Sequence, residues 1–256
     1  MNKDYSQSSP LFRYLLRLAD SSLILGQRLG EWCGHGPILE EDIALTNFSL
    51  DFIGQSRLFY DYASKVEGLG RSEDDLAFLR DVMNFYNTLI TEQPNGDFGK
   101  TMVRQFLFDA FHFHQFEGLK KSKDSQIAAI AEKSFKEISY HLRHSSQWVV
   151  RLGDGTGESH GKVQQSLNDL WMFTGDMFEM NEDDNFLIKH GISPDLKDVK
   201  SRWDETVKET LNRATLKIPE NNFMLSGGIY GRHTEHLGFI LAEMQFLQRT
   251  YPGAKW

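Results

Sequence analysis

The chain has 256 residues, of which 40% are hydrophobic and 25% are charged, and its formal net charge at pH 7 is −8. This composition is that of an ordinary globular protein, and a chain of this length can bury roughly 70–75% of its unfolded surface. Acidic and basic residues are interleaved without a basic block, which argues against nucleic-acid binding. No run approaches the ~20 apolar residues that a membrane-spanning helix requires.

The N-terminus and the cysteine content bear on the compartment. Residues Met1 to Tyr5 are mostly polar, so the sequence predicts no secretory signal. The single cysteine, Cys33, cannot form an internal disulfide, and one thiol cannot build a zinc or iron–sulfur site. We therefore expect a cytoplasmic protein.

Proline placement divides the chain into long periodic stretches. All six prolines lie at the edges of such stretches, where a helix tolerates the missing N–H, and apolar residues between them recur every three or four positions. Glycines supply the turns, and residues 181–185 and 217–231 are predicted to be mobile loops. No segment resembles an interdomain linker, so we predict one all-helical domain over residues 1–256. The predicted helices lie at about residues 10–33, 39–68, 73–91, 99–121, 124–151, 160–180, 194–215 and 232–250.

Two carboxylates stand among apolar residues on these helices. Asp109 and Glu137 each occupy a helical stripe whose other members are mainly apolar. A buried carboxylate is unfavourable unless it is paired, protonated or bound to a metal. In ferritin-like di-iron bundles, two helices each supply one Glu and two supply a Glu-x-x-His pair, which together bind two iron ions.

The histidines do not complete such a ligand set. None of the nine has a glutamate three residues before it, and the candidate positions on the first two helices carry Ser22, Phe52 and Gln55. With two of four helices lacking an anionic ligand, two iron ions would lack charge compensation. The sequence predicts a ferritin-like four-helix bundle with additional helices and no catalytic, cofactor-binding or metal-binding residue. The positions of the degenerate di-iron site are Ser22, Phe52, Gln55, Asp109, Glu137 and His141.

Three interpretations of the polar residues stay open. Glu137 and His141 are four residues apart on one helical face, so an independent metalloenzyme with an irregular site near them is one alternative. A fully hydrogen-bonded polar core that comprises Asp109, Glu137 and His141 is another. A helical binding protein with a pocket beside these residues is the third. His112 and His114 point about 200° apart on a helix, so both cannot face one site.

One motif resembles a zinc helix only in part. His233-Thr-Glu-His236 places its histidines three residues apart, whereas the zinc helix of metalloproteases places them four apart. The spacing therefore argues against a zinc site at this motif.

Four segments, in chain order, match the pattern of one known protein family. The run GQRLGEWCGHGP precedes the second helix, and EQPNGDF precedes the fourth. The segment LNDLWMFT follows in the second half of the chain. The C-terminal run, which begins HTEHLG and ends PGAKW, is the most specific match. These segments are spread over nearly the whole chain, and they resemble the C subunits of phenylacetyl-CoA epoxidases, which belong to the ferritin-like superfamily.

The resemblance implies a ferritin-like fold and a place in a multicomponent monooxygenase of aerobic phenylacetate degradation. In that family the A subunit holds the di-iron centre, activates O₂ and forms a ring 1,2-epoxide on phenylacetyl-CoA. A reductase subunit with a flavin and an iron–sulfur cluster delivers electrons from NADPH. The C subunit lacks the iron ligands and pairs with the A subunit as a structural partner.

For this chain the resemblance implies no cofactor of its own, and partnership with the A subunit and other subunits of the complex. Because an unpaired apolar face seeks burial, we also expect homodimers when the chain is alone. Two segments depart from the family pattern: the polar N-terminal extension through Ser9 and the loop at residues 225–232.

Overall fold

A computed structural model describes residues 8–220 and 223–254 of the chain. Across these ranges there are ten α-helices and no β-strand, so the prediction of an all-α protein is confirmed. None of the described helices is both long and apolar enough to cross a membrane. The helices are α1 Pro10–Gly30, α2 Leu39–Glu67, α3 Glu73–Phe78, α4 Phe98–Leu119, α5 Ser125–Gly153, α6 Gly157–Trp171, α7 Glu182–Lys189, α8 Leu196–Arg213, α9 Glu235–Met244 and α10 Phe246–Thr250.

The contacts of the chain cluster in two compact units. The first comprises residues 8–94 and 227–254, and the second comprises residues 95–226 apart from 221 and 222. Each unit is built on one long antiparallel hairpin, α1 with α2 in the first and α4 with α5 in the second. Two long hairpins are the elements from which a ferritin-like bundle is made. The single domain predicted over residues 1–256 stays a prediction.

Local sequence signals begin and end the long helices where the pattern predicts. Ser9 caps α1, since its hydroxyl accepts a hydrogen bond from the Phe12 N–H, and Pro10 follows at the first helical position. Asp97 caps α4 in the same way through the Lys100 N–H, at 2.8 Å. Gly68 ends α2 with φ +69, a left-handed conformation that glycine adopts without strain.

A close helix crossing in the first unit depends on Gly26. A Cβ at this position would lie 3.1 Å from Ile53 Cγ1 and 3.2 Å from the Ser49 carbonyl oxygen on α2. The Ser49 hydroxyl donates a 2.7 Å hydrogen bond to the Gly26 carbonyl. The missing side chain therefore allows α1 and α2 to approach closely in the half of the hairpin nearest their connecting turn.

The helix predicted at 73–91 is wrong over most of its length. Only Glu73–Phe78 is α-helical, and short 3₁₀ turns follow at Val82–Asn84 and Leu89–Glu92. The segment is rich in aromatic, asparagine and β-branched residues of low helix propensity. In addition, the Tyr86 N–H donates to the carboxylate of Asp20 on α1, at 2.7 Å, and not to a helical carbonyl. A tertiary contact has replaced the helical hydrogen bond.

The loop predicted at 181–185 is also wrong. The Asn181 side chain caps α7 by accepting hydrogen bonds from the N–H groups of Asp183 and Asp184, and the Asp184 carboxylate accepts one from the Asn181 N–H. This reciprocal capping box starts a helix where the acidic composition suggested a loop. The same acidic residues are favourable at a helix N-terminus because they face the positive end of the helix dipole.

Two further helices differ from their predicted extents. The helix predicted at 160–180 runs from Gly157 to Trp171, and a 3₁₀ turn follows at Gly175–Phe178. The helix predicted at 232–250 is divided between α9 and α10 at Gln245. The Gln245 side chain is buried and donates to the carbonyl oxygens of Ala77 and Arg80. These bonds hold the break between α9 and α10 against the C-terminal end of α3.

The segment 217–231 forms hydrogen bonds to the second unit at two positions. The Lys217 N–H donates to Gln164 Oε1, and the Leu225 N–H donates to the Met172 carbonyl, each at 2.8 Å. Its predicted mobility stays a prediction. Residues 221 and 222, the polar residues Met1 to Tyr5 and the last two residues of the C-terminal match lie outside the described residues.

Candidate functional site

The second unit contains a buried carboxylate, Asp109, in the middle of α4. Its side chain is fully buried, and each of its oxygens accepts a hydrogen bond. Gln105 Nε2 donates to Oδ1 and the Ser145 hydroxyl donates to Oδ2, both at 2.7 Å. Burial raises the pKa of Asp109 to about 6, while the charge of His141 and the two hydrogen bonds oppose this rise. A hydrogen-bonded polar core, one of the three interpretations, is therefore present around Asp109.

Two histidines of α4 point in different directions, as their spacing predicts. His112 is buried, with its ring centroid 4.2 Å from that of Phe116, and burial, followed by the charge of His141, lowers its pKa well below the usual value. His114 lies on another face, where Nε2 is 2.8 Å from the Thr206 hydroxyl on α8. The two imidazoles consequently do not share a site.

The expected burial of Glu137 is wrong. Its side chain is partly exposed because the buried face of α5 passes through Ile138 and not through Glu137. One step of 100° along the helix moves Glu137 to the edge of this face. The buried face of α5 consists of Ile127, Ile130, Ala131, Ser134, Ile138, His141, Ser145, Val149 and Gly153.

In the first unit, the three remaining positions of the predicted degenerate site carry no anionic group. Ser22 is buried, and its hydroxyl donates to the Leu18 carbonyl of its own helix at 3.1 Å. Phe52 is buried and has no lone pair to offer, and Gln55 is a buried neutral amide. Within the described residues, no group of three or more His, Cys, Asp or Glu side chains is arranged to hold a metal ion. These donors do not fit two iron ions, which need several carboxylates for charge compensation.

A buried ion pair in the first unit joins α1 to the irregular segment that follows α3. Asp20 and Arg80 form a two-bond salt bridge, and their side chains are 0% and 1% exposed. The Tyr60 hydroxyl also donates to Asp20, and the guanidinium lies 4.2 Å from the centre of the Phe85 ring. Burial, followed by the charge of Asp20, raises the pKa of Tyr60 well above its usual value. These contacts hold the irregular segment after α3 against α1 and α2.

A second buried pair joins Glu92 to the residues before α9. His233 Nδ1 lies 3.1 Å from Glu92 Oε2, and the Thr234 N–H donates to Glu92 Oε1 at 2.6 Å. Asn87 Nδ2 donates to the same carboxylate at 3.1 Å, and the Arg28 guanidinium donates to the Glu92 carbonyl. These bonds hold the segment before α9 against Glu92 in the first unit.

The di-iron ligand pattern does not point to either of these two pairs, and the sequence alone did not predict them. Asp20 is an acidic residue inside an apolar run, a signal of the same kind as that of Asp109. Glu92 and His233 each lie in a segment that resembles the epoxidase C subunits, but nothing in the sequence links the two segments. The His233-Thr-Glu-His236 motif places one histidine against a carboxylate and starts a helix with the next residues.

Three buried carboxylates in the two units are hydrogen-bonded within the chain. Both carboxylate oxygens of Asp109, Asp20 and Glu92 accept hydrogen bonds from side chains or backbone groups of the same unit. Such bonds satisfy buried charges and fix neighbouring segments. These bonds therefore join neighbouring segments within each unit.

The helical hairpins and their polar cores define an all-α protein of the ferritin-like class. A family model described as "Phenylacetic acid catabolic protein" matches residues 1–256, so the chain belongs to this family. It is similar to the C subunit of the 1,2-phenylacetyl-CoA epoxidase of Escherichia coli (strain K12), with 49% identity over 246 residues. The alignment covers 96% of this chain and 99% of that relative. The resemblance stated from the sequence motifs is confirmed.

Proposed function

We propose that this chain is the non-catalytic C subunit of a phenylacetyl-CoA epoxidase in aerobic phenylacetate degradation. In this role it supports a catalytic A subunit, which holds the di-iron centre and forms the ring 1,2-epoxide. The flavin and the iron–sulfur cluster belong to a reductase subunit. The similarity to the C subunit of a known epoxidase, over nearly the full length of both chains, supports this assignment.

The observation that carries the non-catalytic role is the state of Asp109. This is the buried carboxylate at a candidate ligand position, and Gln105 and Ser145 occupy both of its oxygens. The partly exposed position of Glu137 removes the second carboxylate from the core of α5. In this proposal the buried polar groups of α4 and α5 bond to other residues of the same chain and do not serve as ligands for iron.

The remaining parts of the proposal concern assembly and location. The chain works with the A subunit and further subunits of the complex, and it forms a homodimer when purified alone. We place it in the cytoplasm, where an exposed free thiol such as Cys33 stays reduced. An assembly partner for a supporting subunit also accounts for the large exposed apolar side chains on α2 and α9.

Metal analysis of the chain, purified with and without its A subunit, tests the proposal. Elemental mass spectrometry should detect iron only in the complex, at about two ions per A subunit, as a di-iron centre requires. The matched variant is Glu137→Ala, which removes the partly exposed carboxylate of the metalloenzyme alternative. It should leave both the iron content and the epoxidation rate of the complex unchanged. Near-stoichiometric metal in the isolated chain, lost in Glu137→Ala, would establish the alternative.

A further inference from the structure

We propose that residues 231–249 act as a conformational clamp on residues 77–92, which comprise the end of α3 and the irregular segment after it. We call residues 231–249 the C-terminal clamp and residues 77–92 the clamped segment; both lie in the first unit. The two open together as one cooperative unit while the hairpin of α1 and α2 stays folded. The clamp goes beyond the proposed function, because it does not depend on the role of the chain in an epoxidase.

The C-terminal clamp contacts the clamped segment at several points, in reversed order along the chain. Its first residues meet the C-terminal half of the clamped segment, and its last residues meet the N-terminal half. The contacts, in the order of the clamp, are Gly231 with Met83, His233 with Phe85 and Glu92, Gln245 with Ala77 and Arg80, and Arg249 with Phe78, Arg80 and Asp81.

Side chains of the clamp donate hydrogen bonds to backbone carbonyl oxygens at the end of α3. Gln245 Nε2 lies 3.1 Å from the Ala77 carbonyl oxygen and 3.0 Å from that of Arg80. The Arg249 guanidinium donates to the carbonyl oxygens of Phe78 and Arg80, at 3.2 and 2.8 Å. In a regular helix, such oxygens accept from the N–H groups four residues later. The clamp thus supplies donors where α3 ends.

Gly231 brings the backbone of the clamp directly against the 3₁₀ turn at Val82–Asn84. Its φ is +71, and a Cβ built on it would overlap the Met83 carbonyl oxygen. Two residues later, His233 Nε2 lies 2.8 Å from the Phe85 carbonyl oxygen. Glycine is therefore required at position 231 both for the left-handed backbone and for the contact itself.

The clamp is held mainly by these polar contacts, because its helices bury few side chains. Three of the ten residues of α9 are buried, Leu237, Ile240 and Leu241, and none of the five residues of α10. In α1, by contrast, 15 of 21 residues are buried. Segments with few buried apolar contacts open at a lower free energy than the whole fold, and a helix of five residues is not stable by itself. The clamp therefore opens before the hairpin of α1 and α2.

Arg80 couples the opening of the clamp to the clamped segment. Its carbonyl oxygen accepts hydrogen bonds from Gln245 and Arg249, while its guanidinium pairs with Asp20 on α1. When the clamp opens, this carbonyl loses both donors, and the backbone that directs the guanidinium towards Asp20 is released. The adjacent 3₁₀ turn then opens together with the clamp.

Native-state hydrogen exchange of the full chain, followed by NMR, tests the clamp. The amides of Asn84 and Phe85 donate hydrogen bonds within the clamped segment, and those of Gln245 and Arg249 donate within the clamp. In the unmodified protein, the protection factors of these four amides should agree within about threefold. They should also lie about tenfold or more below those of the amides in the middle of α1 and α2.

Gln245→Met tests the coupling, since it removes the amide donor and keeps an unbranched side chain. The protection factors of the Asn84 and Phe85 amides should fall about tenfold, because one buried side chain no longer bonds to two carbonyl oxygens. The matched control is Gln248→Met on α10. Gln248 Oε1 has no hydrogen-bond partner within the described residues, so this change should leave the same protection factors unaltered.

A pair of glycine variants gives a second route to the same result. Gly231→Ala and Gly34→Ala introduce the same strain, since φ is +71 at the first position and +83 at the second. A Cβ at Gly34 would meet no atom within 4 Å, whereas one at Gly231 would displace the clamp from Met83. Gly231→Ala should therefore lower the protection of the clamped segment, and Gly34→Ala should not.

Three outcomes would overturn the clamp. Equal protection in the clamp and in α1 and α2 of the unmodified protein would show that the clamp does not open separately. A loss of protection in Gln245→Met and Gly231→Ala that is confined to α9 and α10 would show that residues 77–92 keep their conformation without it. Equal effects of the variants and their controls would show that the contacts do not hold the segment. Because the first comparison uses the unmodified protein, it decides even where a variant does not fold.

Discussion

His233 and Glu92, which are 141 positions apart in the sequence, form a buried pair in which both ring nitrogens face acceptors. Nδ1 lies 3.1 Å from the Glu92 carboxylate, and Nε2 lies 2.8 Å from the Phe85 carbonyl oxygen. A carbonyl can only accept a hydrogen bond, and the carboxylate already accepts from Thr234 and Asn87. Both ring nitrogens of His233 therefore lie within hydrogen-bond distance of an oxygen atom of the first unit.

The first prediction concerns this pair. Glu92→Gln keeps the shape of the side chain but replaces one buried carboxylate oxygen, which accepts hydrogen bonds, by an amide group that donates them. We expect the free energy of unfolding, measured by urea denaturation, to fall by ~1–3 kcal/mol. The control Glu31→Gln removes an exposed carboxylate paired with Arg28 and should cost less than ~1 kcal/mol. Equal effects of the two substitutions would show that the buried pair contributes no more than a surface pair.

The second prediction concerns Arg80. Arg80→Met removes the cation and keeps an unbranched side chain, so the fully buried Asp20 loses its charge partner. The expected loss of unfolding free energy is ~3–5 kcal/mol. The control Arg57→Met breaks an exposed pair with Glu73 and should cost less than ~1 kcal/mol.

A double-mutant cycle separates the ion pair from the packing of Arg80. Asp20→Asn combined with Arg80→Met should cost less than the sum of the two single substitutions, because each single change leaves one buried charge alone. Strict additivity would mean that the two side chains stabilise the fold independently.

The third prediction is a pH dependence caused by Asp109. Burial raises its pKa from 3.8 to about 6 in the folded protein. Between these values the folded state binds more protons than the unfolded chain, so stability falls as pH rises through this window. The difference of about two pKa units corresponds to ~3 kcal/mol. The pKa of about 6 already includes the opposing effects of the His141 charge and of the hydrogen bonds from Ser145 and Gln105.

Asp109→Asn cannot ionise and should lack this loss of stability. At neutral pH the substitution should be tolerated or cost only ~1–3 kcal/mol. Relative to the unmodified chain, the variant should gain ~3 kcal/mol between pH 4 and pH 7, measured by urea denaturation at both values. Parallel stability profiles for the two proteins would contradict a raised pKa at Asp109.

The fourth prediction concerns metal removal. Because the polar cores consist of hydrogen bonds between protein groups, a chelator should leave the thermal unfolding midpoint of the isolated chain unchanged. Differential scanning calorimetry with and without the chelator measures this. A drop of several degrees would show that a metal stabilises the chain and would contradict the proposed role.

Much of the fold follows from the sequence because the relevant signals are local. Prolines and capping residues such as Ser9 mark helix ends, and the apolar spacing of α1, α2, α4 and α5 marks their buried faces. The chemical identity of Ser22, Phe52 and Gln55 is also read directly, so the lack of anionic ligands at these positions required no coordinates. The polar core around Asp109 was one of three interpretations that the cost of burying a carboxylate left open.

The sequence analysis misassigned the segment after Phe78, where periodicity alone predicted a helix. There the carboxylate of Asp20 accepts hydrogen bonds from the Tyr86 N–H, 66 residues away, and from the Arg80 guanidinium, and the sequence does not show these tertiary contacts. Glu137 was misplaced for a related reason: its stripe and that of Ile138 differ by a single 100° step, and only packing selects between them.

The sequence by itself determined the helical class, the ends of the long helices and the family, because these depend on residue type and short-range spacing. The tertiary structure decided which polar groups are paired. The contacts of Glu92 with His233 and of Asp20 with Arg80 join segments that are distant in the sequence. The spacing of apolar residues does not predict such contacts. A buried charge needs a partner at hydrogen-bond distance, and the folded backbone alone determines which residue supplies it.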